Sequence, residues 1–392
     1  MRILLVHNTY QQFGGEDTTF LNEQAQLRQA GHEVTTLVFS NADAAGLAGK
    51  LGLAWRSIYN PASARAVRQA ILAHQPDVMH VHNFFYVASP AIFWAAKRLG
   101  VPVLVTVQNY RLICAGAYLL RQGAICEVCV ASTLPLAGIR HACHRGSHVQ
   151  SAQLTLNTAI NKWLGSYRNT VARFITVTEF NRQKLIQSSL QLADGQVVAK
   201  PNAVADAGFV PAAQRKGNYL FVGRLSTEKG IATLLAAATQ AGFGLDICGG
   251  GPLQGAVEAA AAAAPNIVYH GFQTREQVLA RMQAARALLF TSVWYEGLPL
   301  TILEGFSTGL PVLISNLGNL NEIVTDGQDG LHFAAGNAAA LAAAIATFEV
   351  ADRHALGLGA RATYERRYTP ATNLAALEQI YTDVIADGKT GR

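Results

Sequence analysis

The chain has 392 residues, half of them hydrophobic and 14% charged, with 35 glycines and a formal net charge of +6. That length exceeds what one hydrophobic core usually serves, so two domains are expected, and the composition excludes disordered, fibrous and collagen-like chains. No apolar run reaches the ~20 residues that span a bilayer, and the amino terminus turns polar after seven residues, unlike a signal peptide, so a cytoplasmic protein is expected.

In chain order, "MRILLVH" reads as a strand, and "FLNEQAQLRQAGH" as a helix stopped by Gly31. "EVTTLVF", "DVMHVHN" and "VPVLVTV" read as further strands, the last two separated by the helical "PAIFWAAKRLG". The pattern restarts near Lys200–Asn202. "NYLFVGRL", "LDICG", "NIVYHG", "ALLFTS", "PVLIS" and "GLHF" are strands with helices between them, and "PATNLAALEQIYTDVIADG" is a terminal helix. The alanine run at 259–264 is a strong helix former. Strands alternating with helices predict an α/β chain with two doubly wound parallel sheets. Ligands of such sheets bind at the carboxyl ends of strands, and with two domains the expected site is the cleft between them.

Five loops follow predicted strands. "YEGLPLTILEGFSTGLP" places Glu296 in a loop; Gly297 and Pro299 open a helix, and Gly309 and Pro311 end it. Glu304 then lies inside that helix, roughly 7–8 Å along its axis. A phosphate at the helix amino terminus would put an attached ribose within reach of Glu304. Alternatively Thr301, Glu304 and Thr308 form a solvated polar stripe. "FVGRLSTEKG" offers Arg224, Lys229, Gly223 and Gly230, suited to a pyrophosphate or equally read as surface cations. "ICGGGPL" brings Gly249, Gly250 and Gly251, as backbone donors or a tight turn; Gln254 stands where a dinucleotide fingerprint needs a third glycine. "FGGED" places Gly14, Gly15 and Glu16 at a helix head, and "HVHNF" puts His80 and His82 on one side of a strand end.

Taken together, "FGGED", "PDVMHVHNF", "VGRLSTEKG", "ICGGGPL", "VYHGF", "EGLPLTILEGFSTGLPV" and "EIVTDGQDGLHF" resemble the retaining glycosyltransferases of family 4, over nearly the whole chain. The resemblance implies a GT-B fold of two Rossmann-like domains facing across a cleft. Residues 1–199 would form an acceptor-side domain, completed by a carboxyl-terminal helix over 370–392, and 200–369 a nucleotide-sugar-binding domain. It further implies that Arg224 and Lys229 hold the donor diphosphate, Glu304 the ribose and Glu296 the transferred sugar. Gly15 would approach the phosphates and His82 the reacting carbon. Gly223, Gly250, Gly271, Gly297, Leu298 and Pro299 would complete the donor site, with base recognition near Gly271–Gln273. The implied donor is a UDP- or GDP-type sugar. No cofactor is required, and cationic side chains replace a catalytic metal. One position departs from the pattern: relatives often carry a histidine where "VTVQNYR" has Gln108.

Residues 1–199 hold 17 Lys and Arg against 9 Asp and Glu, whereas 200–392 hold 14 against 16. The basic half suits anionic partners or reports surface solubility; no nucleic-acid-binding signature is present. Arg140, Arg145, Lys162, Arg168 and Arg173 lie near Trp163 and Leu164, which suits either peripheral contact with an anionic membrane at its inner face, near a glycan or lipid-linked acceptor, or a solvated helix face. Cell-surface polysaccharide or glycolipid synthesis is the expected setting. Cys114, Cys126, Cys129 and Cys143 cluster with a C-x₂-C pair, beside His141 and His144, and fit structural zinc or buried free thiols. Competing readings are a sugar-nucleotide epimerase of the same fold, a phosphorylase, and a non-catalytic sugar-nucleotide-binding protein. The broken glycine fingerprint disfavours an NAD oxidoreductase.

Overall fold

A computed structural model describes residues 1–9, 14–40 and 56–390. Phe13 of the "FGGED" loop and the last two residues of the expected terminal helix lie outside the described residues. The chain divides into two compact units. Unit 1 comprises Met1–Leu119, Cys126–Pro201 and Asn373–Arg392; unit 2 comprises Leu120–Ile125 and Asn202–Thr372.

In chain order the first strands are β1 (Arg2–Thr9), β2 (Glu33–Ser40), β3 (Val78–Val81) and β4 (Val103–Val107). β5 (Leu120–Arg121) and β6 (Ala124–Ile125) pair as a short antiparallel hairpin. β7 (Arg173–Thr176) and β8 (Val197–Ala199) follow. Unit 1 is built on a six-stranded sheet in the order β2-β1-β3-β4-β7-β8, every pair parallel. All four β3 residues are buried, as expected for parallel strands covered on both faces, which read as continuous apolar runs. The helix Pro370–Thr390 closes this unit. Leu377, Tyr381 and Val384, spaced on one helical face, join a core made by Ile3, Phe20, Leu104 and Ile175.

Unit 2 contains β9 (Tyr219–Val222), β10 (Leu245–Cys248), β11 (Ile267–Tyr269), β12 (Leu288–Phe290), β13 (Val312–Asn316) and β14 (Gly330–Ala334). Their order is β11-β10-β9-β12-β13-β14, again all parallel. Phe221, Ile247, Leu289 and Leu313 from the sheet pack with Leu234 and Phe348 from covering helices. Each such side chain, fully buried, contributes about 1.5–3 kcal/mol of transfer free energy. The alanine run is helical, within Gln254–Ala263.

The strand orders locate the places where ligands bind. In unit 2 the chain winds outward from β9 to β11, then returns to β12 on β9's other side. Loops leaving β9 and β12 therefore diverge over the carboxyl ends of adjacent strands and open a crevice. In unit 1 the same reversal falls between β1 and β3. The sequence motifs occupy these loops: Arg224–Gly230 follows β9, Glu296 follows β12, Gly14–Glu16 follows β1 and His82 follows β3.

Candidate active site

The β9 and β12 loops are locked together by backbone contact. The Val293 N–H donates to the Glu228 carbonyl at 2.9 Å, and Thr291 Oγ1 donates to the Lys229 carbonyl at 2.8 Å. Gly230 permits this approach: its φ is +69°, and a Cβ there would lie 1.9 Å from the Thr291 carbonyl oxygen. The result brings Lys229 Nζ within 2.7 Å of Glu296 Oε1. Ser292 Oγ donates to the same oxygen, and Trp294 Nε1 donates to it at 2.9 Å. The Lys229 ammonium also stands over the Phe290 and Trp294 rings, at 5.5 and 5.6 Å from their centroids. Glu296 is thus a buried, positioned carboxylate, its side chain 6% exposed. Ser292 and Trp294, which hold it, carried no sequence signal beyond lying between a strand and Glu296. Arg224 on the β9 loop is exposed and makes no side-chain ion pair among the described residues.

The segment after Glu296 behaves as its proline and glycines dictate. Pro299 is the N-cap of the helix Leu300–Ser307, Thr308 its C-cap, and Gly309 follows with φ +73°. Asn319 Nδ2 donates to the Gly297 carbonyl and so fixes the turn, while Leu298 is buried. Ile302, Leu303 and Phe306 are fully buried and hold the helix on the sheet. Thr308 is buried as well, which corrects the solvated-stripe alternative. Its carbonyl accepts from Arg215, whose guanidinium also donates to the Met282 carbonyl at 2.6 Å. Arg215 therefore caps the carboxyl ends of two helices at once, Arg275–Ala284 and Leu300–Ser307, and no local sequence signal marks it. Glu304 is mostly buried and pairs with Arg275 Nε at 3.2 Å. Burial pushes the Glu304 carboxyl above its ordinary range, with Arg275 opposing.

In the glycine loop after β10, the tight-turn reading holds for two positions. A Cβ on Gly249 would lie 1.9 Å from the Gly223 carbonyl oxygen, and one on Gly251 would lie 2.5 Å from that of Leu225. The Gly249 N–H is already taken by the Gly271 carbonyl at 2.9 Å, so it is not offered to a ligand as expected from sequence. The added atom on Gly250 would meet only the Gln254 side chain, at 3.9 Å. Gly271 has φ +68°, and beside it Phe272 is 86% exposed.

In unit 1, Gly14 is the N-cap of the helix Gly15–Gln29. Its N–H is bonded by Asp17 Oδ2 at 2.9 Å, so this carboxylate, and no outside anion, takes that donor. The other Asp17 oxygen bonds His7 Nε2 at 2.8 Å. A Cβ on Gly15 would meet nothing within 4 Å. His82 is buried, with Nε2 at 3.0 Å from Glu23 Oε1 and no partner for Nδ1 among the described residues. Glu23 also takes Lys200 at 3.3 Å, Lys200 bonds Asn373 at 3.1 Å, and His80 bonds Tyr381 at 2.8 Å. This buried network ties the terminal helix to β3 and to the end of the unit. Burial alone would raise the Glu23 pKa, but Lys200, His82 and His80 outweigh it and hold the carboxyl well below its usual range. Burial lowers the His82 pKa against the pull of Glu23, so the imidazole is neutral. Glu23, His80 and His82 also present three donor atoms within 4.8 Å of one another. A cation there would meet the Lys200 ammonium, and His80 Nε2 is already engaged by Thr106 at 2.7 Å, so the cluster is satisfied by its own charges. A small pocket at the ends of β3 and β4 is lined by Glu16, His82, Asn83, Phe85, Gln108 and Asn109.

The basic surface expected around Trp163 is partly corrected. Lys162 is buried, donating to Ser189 Oγ at 2.8 Å, and Arg173 pairs with Asp387 at 3.0 Å. Arg140 and Arg145 are exposed. Among the described residues no helix is long and apolar enough to cross a membrane.

Two family models cover most of the chain: the glycosyl transferase 4-like domain over residues 14–203, and glycosyl transferases group 1 over residues 209–363. A glycogen synthase of Mycobacterium tuberculosis is 28% identical over 286 residues, which are 69% of this chain and 59% of that protein. The chain therefore matches little more than half the length of that relative. A glycosyltransferase from Rickettsia africae superposes with a TM-score of 0.69 at 16% identity, covering 98% of both chains. Anabaena HepE in complex with UDP gives 0.68 at 16% identity, covering 98% of this chain and all of that one. At such identities the two structures speak for the fold, which is GT-B. With both halves matched by its models and the glutamate pair set in a doubly wound sheet, the chain belongs to the glycosyl transferases group 1, the family 4 glycosyltransferases.

Proposed function

We propose that the protein transfers a sugar, with retention of configuration, from a nucleoside-diphosphate sugar to a glycan or lipid-linked acceptor. The observation that carries this reading is the Lys229–Glu296 pair at the switch point of unit 2, with Arg224, which makes no ion pair among the described residues, on the same β9 loop and Glu304 on the following helix. A leaving diphosphate develops negative charge as the sugar carbon approaches an oxocarbenium ion. Arg224 as a fork, Lys229 as a point charge and the amino end of the helix Leu300–Ser307 form a fixed site for that charge. Glu304 accepts the ribose hydroxyls and Glu296 those of the transferred sugar, since ionised carboxylates accept paired hydroxyls well. Gly223, Gly250, Gly271, Gly297, Leu298 and Pro299 shape the donor site through backbone. From unit 1 the reading enlists Gly15, whose Cα faces open space, and His82 beside the pocket.

The donor class is a UDP- or GDP-type sugar; the Anabaena neighbour's complexes with UDP and with UDP-glucose support a nucleotide of this kind. The fixed cations take the place of a catalytic metal, so turnover does not respond to added Mg²⁺ or Mn²⁺. A rate that appears only with added divalent ion contradicts this. The acceptor lies at an anionic membrane face, in cell-surface polysaccharide or glycolipid synthesis. Supporting this, Val149, Leu156 and Trp163 recur every seven residues on one helix and are 78%, 47% and 79% exposed. Flotation with phosphatidylglycerol vesicles tests it: wild type co-floats, Trp163→Ser is reduced, and a wild type that stays unbound overturns it.

The transfer itself is tested by following donor turnover and product configuration by NMR. The expected product keeps the donor's anomeric configuration, and Glu296→Gln binds donor but turns over at least tenfold more slowly. A product of inverted configuration, or full activity in Glu296→Gln, overturns the assignment. An epimerase would instead return an altered free sugar nucleotide, and a binding protein would return the donor unchanged.

A further inference from the structure

Residues 114–145 hold little regular structure: the two-residue strands β5 and β6 and the five-residue helix Leu136–Arg140. Within this segment Ala117, Leu119, Gln122, Ala142 and Arg145 all have positive φ, between 47° and 66°. Non-glycine residues in that region are strained, and persist only where the surroundings fix them. Hydrophobic packing holds part of the segment, since Ala117, Leu119 and Val130 are buried, but Tyr118, Val128, Leu134 and Leu136 are exposed.

Four cysteines converge in it. Cys114, Cys126 and Cys143 all lie within electrostatic reach of Cys129. A Cβ added to Gly116 would meet Cys114 Sγ at 3.8 Å and the Cys143 Cβ at 3.7 Å, and one added to Gly138 would meet Cys129 Sγ at 4.0 Å. Cys143 N–H donates to the Gly138 carbonyl, closing the loop that returns the last cysteine to the group. None of the four is in a disulfide.

Charged side chains surround them. Lys162 is buried, makes no ion pair among the described residues, and faces Cys129. Arg111 and Arg145 flank His144, next to Cys143. The nearby carboxylate of Glu127 is committed to Lys184 at 2.7 Å.

We propose that Cys114, Cys126, Cys129 and Cys143 bind one structural zinc ion that holds residues 114–145 in place. Of the two readings the cysteine spacing allows, zinc or free thiols, this proposal takes the metal. No three of the four sulfurs lie within 4.8 Å of one another, whereas tetrahedral coordination sets Zn–S near ~2.3 Å, so the proposal requires the side chains to close on the ion. The four cysteines include none of the donor-loop residues, so the proposal stands or falls independently of the transferase reading.

The test is metal analysis of the full-length protein purified without chelator. The expected result is about one zinc per chain, released by a mercurial reagent in step with thiol modification. Replacing zinc with Co²⁺ should give the intense visible absorption of a tetrahedral tetrathiolate site. Cys129→Ser should lose the metal, whereas Cys248→Ser should retain it. If Cys129→Ser does not fold, the wild-type zinc content and cobalt spectrum still decide. Metal-free wild-type protein whose four thiols react freely in the folded state overturns the proposal, as does a cobalt spectrum without thiolate ligation.

Discussion

Replacing Glu304 by glutamine separates binding from stability. The Glu304 side chain is 14% exposed, and its ion-pair partner Arg275 is 52% exposed. A pair so open to solvent on one side is worth at most about 1 kcal/mol. Burial meanwhile raises the Glu304 pKa. A carboxyl whose pKa is higher in the folded than in the unfolded chain costs stability when ionised, and that cost is relieved as pH falls through the folded value. At neutral pH, then, E304Q removes a penalty and a weak pair together, and Tm should stay within a few degrees or rise. Binding should respond differently. A charge-assisted hydrogen bond contributes about 1.5–3 kcal/mol. Weakening the contacts to a ribose diol by that amount raises the nucleotide Kd about ten- to hundredfold. Calorimetric titration with the nucleoside diphosphate and thermal melting of the same samples read both quantities. An unchanged Kd with a clearly lowered Tm would refute the argument, because Glu304 would then be a structural residue.

Other perturbations reach the remaining parts of the account. Gly230→Ala forces a Cβ into the Thr291 carbonyl from a left-handed backbone; it should part the β9 and β12 loops and slow donor turnover more than tenfold, and a variant of wild-type activity would show that Lys229 and Glu296 need no such closure. Arg215→Met strips the donor from the Met282 and Thr308 carbonyls; at about 1–3 kcal/mol per unsatisfied buried group, urea unfolding should report a loss of roughly 3 kcal/mol, and a loss below about 1 kcal/mol would contradict the capping role. Burial lowers the pKa of both His7 and His82. The unfolded chain therefore takes up protons near pH ~6.5 before the folded one does, and stability must fall as pH drops below that value. Glu23, held low by Lys200 and the histidines, keeps its contribution until still more acid pH. The melting temperature of unit 1 should decline between pH 7 and 5; a flat profile would contradict neutral burial of these imidazoles.

Much of this was legible in the sequence, for identifiable reasons. Continuous apolar runs such as "RILLV" and "VMHV" become parallel strands buried on both faces, and proline and glycine at 299 and 309 set the ends of the glutamate helix. These are local signals, each decided within a few residues. Partners distant in sequence were not legible. Arg215 meets Thr308 across 93 positions and Lys200 meets Glu23 across 177; only the folded sheet brings them together. Lys162 was misread for the same reason: a lysine next to Trp163 looks like a solvated cation until the helix turns it inward. Gly249 was a subtler case. Its conformational need was visible, but its N–H partner, the Gly271 carbonyl, belongs to the end of another strand.

The most direct test of the central claim is titration calorimetry of the full chain with UDP-, GDP- and ADP-sugars, repeated for Arg224→Ala and Lys229→Ala. The account predicts one-site binding of a UDP- or GDP-type donor, weakened at least tenfold in each variant because each removes a cation from the diphosphate. No binding of any donor, or binding that both variants leave unchanged, would contradict it.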